Sequence, residues 1–256
     1  MPTVKDIFNA LSIIAPIGDS LSYDNEGLLM GSFKEKVTKT LIALDATPAV
    51  CDEAVELGAN LILTHHPVLF KPLRAFTLQG ALIKLLKHDM NLLVSHTSLD
   101  VSVSGVNFQL SQKLGLKNVD SCSCLGGYTV GLMGDLPDEM DSVEFAQYVS
   151  KSLNCRGVRY TERKGKIKKV AVCGGAGSFV VRDAILANAD AFVTGEIKHS
   201  EILVANDYNL AIVEAGHFKT EALVLPFVRD YLHEWFPEEQ FIVTKVLDDN
   251  LRYFSE

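Results

Sequence analysis

The sequence lacks long apolar runs, a basic charge balance and paired cysteines. No stretch reaches the ~18 uninterrupted apolar residues that a membrane span requires, because carboxylates, glycines and prolines interrupt every candidate. The chain has 24 lysines and arginines against 32 aspartates and glutamates, which argues against nucleic acid as a partner because phosphates require a basic surface. Its five cysteines are an odd number without paired spacing. We therefore expect reduced thiols and no disulfide framework.

The N-terminal segment and the composition narrow the class of protein further. The segment MPTVKDIFNALSIIAP has no basic region leading into a long apolar stretch, and Asp6 and Asn9 give it an amphipathic helical pattern. We therefore predict an uncleaved, cytoplasmic protein. With 256 residues, 48% of them hydrophobic and 22% charged, the chain can bury a sizeable core as one large or two ordinary domains.

Short apolar runs alternate with amphipathic segments along the chain. The runs LIAL, LILT and LLVS are continuous, as in strands covered on both faces, and the alternation is typical of parallel strands joined by crossover helices. The pattern predicts helices over residues 4–14, 48–57 and 220–235, and strands over 61–64, 91–95 and 210–214. We predict an α/β protein of two units with mixed, largely parallel sheets flanked by helices. Gly-rich extended sequence around 119–135 indicates a division into residues 1–126 and 127–256.

Three short clusters of histidine and carboxylate residues each fall where a predicted strand ends, the place where ligands bind in open α/β sheets. The first cluster is Leu63-Thr64-His65-His66-Pro67. At a strand end, with Pro67 stopping the ladder, both histidines can turn outward. A pair of hydrogen-bonded surface histidines is the alternative interpretation. We favour metal binding, because imidazole is the commonest metal ligand.

The second and third clusters add carboxylates. Asp100 follows His96 by four residues, although alone it could simply close a turn. His217 and Glu221 are also four residues apart, at a helix start, which places them on one face about 5–6 Å apart at Cβ. Such a pair is commonly a solvated helix surface. Here Gly216 allows a tight backbone turn directly after a strand, which favours a binding role.

Taken together, three imidazoles and two carboxylates are too many ligands for one structural zinc, which four ligands close. The set suits two divalent ions about 3.5–4 Å apart with water in the open positions, and Zn, Fe, Mn, Co or Ni all accept such ligands. His65, His66 and Asp100 fall in the first predicted unit, and His217 and Glu221 in the second. We therefore expect a metal site between the units, or a chain that returns to the first unit after about residue 195.

Other residues are candidates for moving protons or binding phosphate. Glu196 and His199 follow a predicted strand and could act as general acid or base, as could His96. Helix-start residues or a satisfied core histidine are the alternatives. The loop Gly174-Gly175-Ala176-Gly177 could receive a phosphate at a helix N-terminus, but it matches neither nucleotide-binding motif. We predict a tight turn there.

The ordered set of motifs resembles the Nif-three-like family, whose members are called GTP cyclohydrolase 1 type 2 homologs. The resemblance covers nearly the whole chain. The motifs that carry it are Asp24-Asn25-Glu26-Gly27-Leu28, Gly31, Ala43-Leu44-Asp45-Ala46-Thr47, Leu63-Thr64-His65-His66-Pro67, His96 to Asp100 with Gly105 and Asn107, Gly174-Gly175-Ala176-Gly177, Thr194-Gly195-Glu196, and Gly216-His217 to Glu221.

The resemblance implies a two-domain α/β subunit, a toroidal homohexamer and a dinuclear metal site. Matched residue by residue, it implies the metal ligands His65, His66, Asp100, His217 and Glu221. Our leading hypothesis is a dinuclear metal-dependent hydrolase acting on a nucleotide-like or phosphorylated small molecule, with GTP cyclohydrolase-type opening of an imidazole ring at C8 as one form. The alternative is a metal-binding hexameric scaffold or regulatory protein without turnover.

Overall fold

The computed structural model describes residues 1–16, 18, 21, 24–71, 80–246 and 251–252, and the chain divides into two compact units. The first unit comprises Met1–Leu99 and Val224–Leu247, and Asp100–Leu223 forms the body of the second. Along the chain, the body of the second unit is therefore inserted between the two segments of the first. Within the described residues, no helix is both long enough and apolar enough to cross a membrane.

The helices and strands follow one another through both units. Up to residue 100 they are α1 Val4–Ile14, β1 Gly27–Met30, β2 Lys39–Ala43, α2 Pro48–Leu57, β3 Leu61–Thr64, α3 Ala81–Lys87, β4 Asn91–Val94 and α4 Thr97–Asp100. The second unit continues with α5 Val106–Lys113, β5 Lys117–Leu125, β6 Tyr128–Met140, α6 Ser142–Ser152, β7 Arg159–Tyr160, β8 Ile167–Cys173, a 3₁₀ turn Gly177–Val180, α7 Val181–Leu186, β9 Ala191–Thr194, α8 His199–Asp207, β10 Ala211–Glu214 and α9 His217–Glu221. The chain returns to the first unit with α10 Val224–Trp235 and β11 Gln240–Val243.

The sheet of the first unit has the strand order β1-β4-β3-β2-β11 in the described residues, with β1 antiparallel to the rest. Strands β3 and β4 are buried along their whole length. Helices cover both faces: Ile62 packs in one cluster with Ala54 of α2 and Leu85 of α3, whereas Leu63 lines a pocket with Leu11 of α1. Burial on both faces explains why these strands read as continuous apolar runs.

Helix α2 shows how local sequence sets an element in the first unit. The Thr47 side chain caps its start by accepting the Val50 N–H at 3.2 Å, and Pro48 occupies the first turn, where it needs no N–H donor. Gly58 ends the helix in the left-handed conformation at φ 67°. The predicted bounds 48–57 are confirmed.

The sheet of the second unit has the order β5-β6-β8-β9-β10-β7 in the described residues. Its centre, β8, β9 and β10, is parallel, and the strands on either side pair antiparallel. Strands β5 and β6 form a hairpin that turns at Gly126 and Gly127, whose φ angles are 61° and 93°. Positive φ at both central residues is the requirement of a type I′ turn, which explains the Gly-Gly pair.

The predicted fold class is confirmed: both units are mixed sheets flanked by helices. The division between the units differs from the prediction at 126/127, because the Gly-rich extended sequence there is the turn of the β5–β6 hairpin. The return to the first unit occurs at Val224. The predicted helix 220–235 is two helices, α9 and α10, and the chain leaves the second unit between them.

Candidate metal centre

Three imidazoles gather at one edge of the first unit's sheet. His65 and His66 directly follow β3, and His96 follows the parallel neighbour β4, so all three lie where adjacent strands end. Ring centroids are 4.9 Å apart for His65 and His66, 5.1 Å for His65 and His96, and 5.4 Å for His66 and His96. One ring nitrogen of each lies within 4.8 Å of those of the other two, and such a group could hold a metal ion.

Hydrogen bonds to Nδ1 determine which nitrogen of each ring can bind a metal. Nδ1 of His65 lies 3.0 Å from the carbonyl oxygen of Ser95, and Nδ1 of His66 lies 2.9 Å from Oδ1 of Asp45. A carbonyl and an ionised carboxylate only accept hydrogen bonds, so Nδ1 carries the proton in both rings. Nε2 is then the unprotonated nitrogen, the form that binds metal, and outer hydrogen bonds of this kind are typical of metal-ligating histidines.

His96 is held in the same way by the carboxylate of Asp24, to which the sequence analysis assigned no role. Its Nδ1 lies 2.9 Å from both Oδ atoms of Asp24. Asp24 also accepts from the Thr97 backbone N–H at 3.0 Å and from the Thr97 hydroxyl at 2.6 Å. Burial alone would raise the pKa of Asp24, but the hydrogen bonds from His96 and Thr97 outweigh it and hold the pKa below the ordinary value.

The two residues after Asp24 also bind the histidine loops. Glu26 Oε1 accepts the backbone N–H groups of His96 and Ser98, both at 2.8 Å. The side chain of Asn25 donates to the carbonyl oxygen of Leu69 at 2.6 Å, in the loop after the His65-His66 pair. Burial, with the charge of Asp24 adding to it, raises the pKa of Glu26. Within the sequence, only the family motif that begins at Asp24 marked these residues.

The second unit carries a group of its own on α9. Nε2 of His217 lies 3.0 Å from Oε2 of Glu221, which confirms the predicted one-face arrangement. Nδ1 of His217 lies 2.8 Å from Oε1 of Glu196, so His217 shows the same outer hydrogen bond as the histidines of the first unit. Glu221 is buried, and Gly216 precedes the helix at φ 87°. That positive φ explains the glycine at the turn.

The glycine loop after β8 supports Glu221 and is not a phosphate cradle. Its N–H groups already bind side chains: Gly174 to Asn107 at 2.8 Å, Gly175 to Thr220 at 3.1 Å, and Gly177 to Thr194 at 3.1 Å. A Cβ on Gly175, which has a φ of 59°, would collide with Oε1 of Glu221 and lie 3.2 Å from Nε2 of His217. The predicted tight turn is confirmed, and its glycine leaves room for the donor atoms of α9.

The remaining sequence candidates have different surroundings. Asp100 ends α4, and a carboxylate oxygen of Asp100 lies within 4.8 Å of one of Glu221. Glu196 is exposed and binds His217, as described above. His199 is exposed at the first residue of α8. Burial, with the charges of Asp100 and Glu221 adding to it, raises the pKa of the neighbouring Cys173 thiol well above its ordinary value.

Both units carry donor residues of the kinds that bind divalent metal ions, and in the described residues of the first unit His65, His66 and His96 are close enough together to hold one ion. The donors are imidazole nitrogens and carboxylate oxygens, a set that suits first-row metals such as Zn, Fe, Mn, Co or Ni. His65, His66 and His96 have their Nδ1 held by an acceptor, which leaves Nε2 in the metal-binding form. His217 has a carboxylate oxygen at each ring nitrogen. The first unit contributes neutral donors and the second contributes mainly anionic donors.

Comparisons with known proteins identify the family of this chain. The model of the Duf34/NIF3 (NGG1p interacting factor 3) family matches residues 2–250. A GTP cyclohydrolase 1 type 2 homolog of Clostridium perfringens is 33% identical, and the alignment covers 98% of this chain and 99% of the relative. A homolog of the same name from Clostridium acetobutylicum is 32% identical over 85% of each chain.

Solved structures share the fold. A hypothetical protein of Staphylococcus aureus superposes with a TM-score of 0.92 at 29% identity, covering 99% of this chain and 100% of its own. A Bacillus cereus protein related to NIF3 has a TM-score of 0.93 at 23% identity, covering 99% of each chain, and supports the fold alone. Because the family model spans almost the whole sequence and relatives above 30% identity are covered over most of their length, the chain belongs to the Duf34/NIF3 family.

Proposed function

We propose that the chain is a hydrolase whose dinuclear metal centre is held by His65, His66, Asp100, His217 and Glu221. The observation that supports the proposal is the anchoring of the ligand histidines. Nδ1 of His65 and of His66 is held by a carbonyl or carboxylate oxygen, so Nε2 of each is in the metal-binding form. The ring of His217 is held between the carboxylates of Glu196 and Glu221. The family resemblance supports assigning the five residues to one centre, in which they would hold the metal ions.

The charge of the proposed ligands favours an anionic substrate. Three neutral imidazoles and two carboxylates place two negative charges against the four positive charges of two divalent ions. The excess positive charge attracts phosphate or another anion. This supports a nucleotide-like or phosphorylated small molecule as the substrate class.

Two divalent ions, when bound, supply Lewis acidity and lower the pKa of water. The chain itself contributes orientation and proton transfer. Ser95, Asp45 and Glu196 fix the planes of the three ligand imidazoles through Nδ1. His96, close to His65 and His66, is our first candidate for receiving a proton from the attacking water. Glu196 and His199 are further candidates on the second unit.

The names of the curated relatives suggest the finer form of the reaction. They are called GTP cyclohydrolase 1 type 2 homologs, and we extend that activity to this chain as a proposal. Water would add at C8 of the guanine base and open its imidazole ring. GTP is therefore the first substrate to test, followed by other nucleotides and phosphoesters.

The test combines metal analysis with turnover. Elemental analysis of untagged protein should find two divalent ions per chain, and GTP or a member of the nucleotide and phosphoester panel should be consumed with that metal. Glu221→Ala should lose metal and turnover together. Glu234→Ala, an exposed glutamate on α10, is the matched control.

Three outcomes are informative. Full turnover by metal-poor Glu221→Ala protein would contradict the mechanism. Absence of metal after reconstitution would contradict the five-ligand assignment. Two tightly bound ions with no turnover on the whole panel would instead support a scaffold or regulatory protein.

We also propose that the chain assembles into a homohexamer, as the family resemblance implies. Native mass spectrometry of the metal-loaded protein should give a mass six times that of the 28.1 kDa chain. A monomer or dimer at micromolar concentration would contradict this part of the proposal.

A further inference from the structure

We infer that Asp24 is a positioning residue that fixes the imidazole of His96 at the first-unit histidine group. The inference rests on the proposed metal centre and adds to it a residue that is not one of the five predicted ligands. The side chain of Asp24 is only 1% exposed, and both of its oxygens lie 2.9 Å from Nδ1 of His96. A fully buried carboxylate directed at the Nδ1 of one histidine determines where that ring lies and which nitrogen carries the proton.

Every other contact of Asp24 also favours the ionised, accepting form. Oδ1 accepts the backbone N–H of Asn25 at 2.8 Å, and Oδ2 accepts the N–H and the hydroxyl of Thr97. Burying a charge is costly unless hydrogen bonds replace water, and here they all come from the strand-end loop of His96 or from the neighbouring residue. In the described residues, the Asp24 carboxylate therefore hydrogen-bonds only to the His96 loop and to Asn25, and it forms no ion pair with a lysine or arginine.

The two following side chains make Asp24 part of a clamp, which we define as Asp24, Asn25 and Glu26. Glu26 binds the backbone of His96 and Ser98, while Asn25 binds the carbonyl of Leu69. The clamp therefore contacts both loops that carry the first-unit histidines. Because its contacts set the spacing of these loops, the clamp acts on the geometry of the site and supplies no metal ligand.

The consequence for His96 is a defined tautomer. With the proton held on Nδ1 by Asp24, Nε2 of His96 has a lone pair beside His65 and His66, whose own Nδ1 atoms are held by other acceptors. An imidazole in this form accepts a hydrogen bond from a water molecule or a hydroxyl group at the site. Asp24 thus positions His96 as an acceptor without touching the substrate.

Asp24→Asn is the sharpest test, because it keeps the shape and changes the hydrogen bonding. One carboxylate oxygen becomes an NH₂ donor, and on either side that donor would meet a backbone N–H, from Asn25 or from Thr97. Both positions lie 2.9 Å from Nδ1 of His96, so on either side the NH₂ group also faces this nitrogen. It can donate only to an unprotonated Nδ1, so the ring proton shifts to Nε2. Magic-angle-spinning NMR of full-length protein labelled with ¹⁵N-histidine and loaded with Zn²⁺ reports the tautomer, and His96→Gln identifies the signal.

We expect an Nδ1–H tautomer for His96 in the wild-type protein and its loss in Asp24→Asn. Thr97→Val removes one hydrogen bond to the same carboxylate and should keep the tautomer. Asp52→Asn, an exposed carboxylate paired with Lys84, is the control for the charge change. Zinc content should remain at the wild-type value in all three variants, which separates positioning from metal binding.

The rate of GTP turnover is a second readout, because a purely structural role for Asp24 would not make its effect depend on His96. Asp24→Asn should lower the rate on the order of 10- to 100-fold, and adding it to His96→Gln should cause no further loss, because Asp24 acts through His96.

An Nε2–H tautomer in the wild-type protein would overturn the inference even if Asp24→Asn fails to fold. An unchanged tautomer in folded Asp24→Asn would overturn it as well. Zinc-free wild-type protein would contradict the proposed function, which is a different failure from either of these.

Discussion

The two units build their donor groups by different means. In the first unit, donors come from the ends of two neighbouring parallel strands, and a separate segment, the clamp, holds the loops. In the second unit, His217 and Glu221 lie on one short helix, and the glycine loop after β8 leaves space for them. Imidazoles need their rings oriented, whereas a buried carboxylate needs room and an acceptable charge environment. The comparison shows that the first unit relies on hydrogen bonds that orient rings, whereas the second unit combines such a hydrogen bond on His217 with steric clearance for Glu221.

The largest effect on metal binding should come from filling the space that Gly175 leaves beside Glu221 in the second unit. In Gly175→Ala, the new Cβ would collide with Glu221, and the left-handed backbone would cost about 1–2 kcal/mol of folding free energy. We expect near-complete loss of bound metal together with a lower melting temperature. Elemental analysis and thermal denaturation measure the two effects.

Gly58→Ala in the first unit separates these two contributions. Gly58 has a similar φ of 67°, but a Cβ there meets no atom within 4 Å. Gly58→Ala should therefore lose only the folding free energy that the left-handed backbone costs, about 1–2 kcal/mol, and should keep its bound metal. Wild-type metal content in folded Gly175→Ala would contradict the steric argument.

Removing an outer hydrogen bond should have an intermediate effect in either unit. Asp45→Asn weakens the hold on His66, and Glu196→Gln weakens the hold on His217. We expect each change to weaken Zn²⁺ affinity about 10-fold, the lower end of the usual range. The side chains of Asp45 and Glu196 are 49% and 60% exposed, so solvent weakens both hydrogen bonds. Competition with a chromophoric chelator measures the affinity. If both variants bind Zn²⁺ as tightly as the control Asp52→Asn, then Asp45 and Glu196 do not orient the rings of His66 and His217.

The smallest effect should come from charge at two helix starts, one in each unit. Hydrogen bonds from backbone N–H groups hold the pKa of Asp6 in α1 and of Asp141 before α6 below the ordinary 3.8. A carboxyl with a lowered folded pKa adds stability above 3.8, and the addition is lost as the pH falls through the folded pKa. Asp6→Asn and Asp141→Asn should therefore lower the melting temperature slightly at pH 7. The difference should close below pH 3.8, and a difference that widens there would contradict this assignment.

Much of the fold was predictable from short-range sequence patterns. The buried strand Leu61–Thr64 and the helices Val4–Ile14 and Pro48–Leu57 have the predicted bounds. Continuous apolar runs and capping residues act within a few positions, so they can be read locally. The pairing of His217 with Glu221 was predictable for the same reason, because four residues along a helix form one turn.

The features that escaped prediction depend on contacts far apart in the chain. Asp24 binds His96 across 72 positions, and no local pattern connects the two. The unit boundary was misplaced because glycines suit a hairpin turn and a linker equally well, and Gly126 and Gly127 form the former. The break after Glu221 was missed because apolar periodicity continues from α9 into α10.

The late return of the chain has a consequence for synthesis on the ribosome. The described strands of the second unit have all been synthesised by residue 223, whereas β2 waits for its parallel neighbour β11 until residues 240–243 are added. Until then β2, whose residues 40–43 are buried in the finished structure, has an unpaired edge. Unpaired apolar edges are templates for aggregation. A chain released from the ribosome within α10 would therefore contain every described strand of the second sheet, whereas its first sheet would stay open at the strand preceding Asp45.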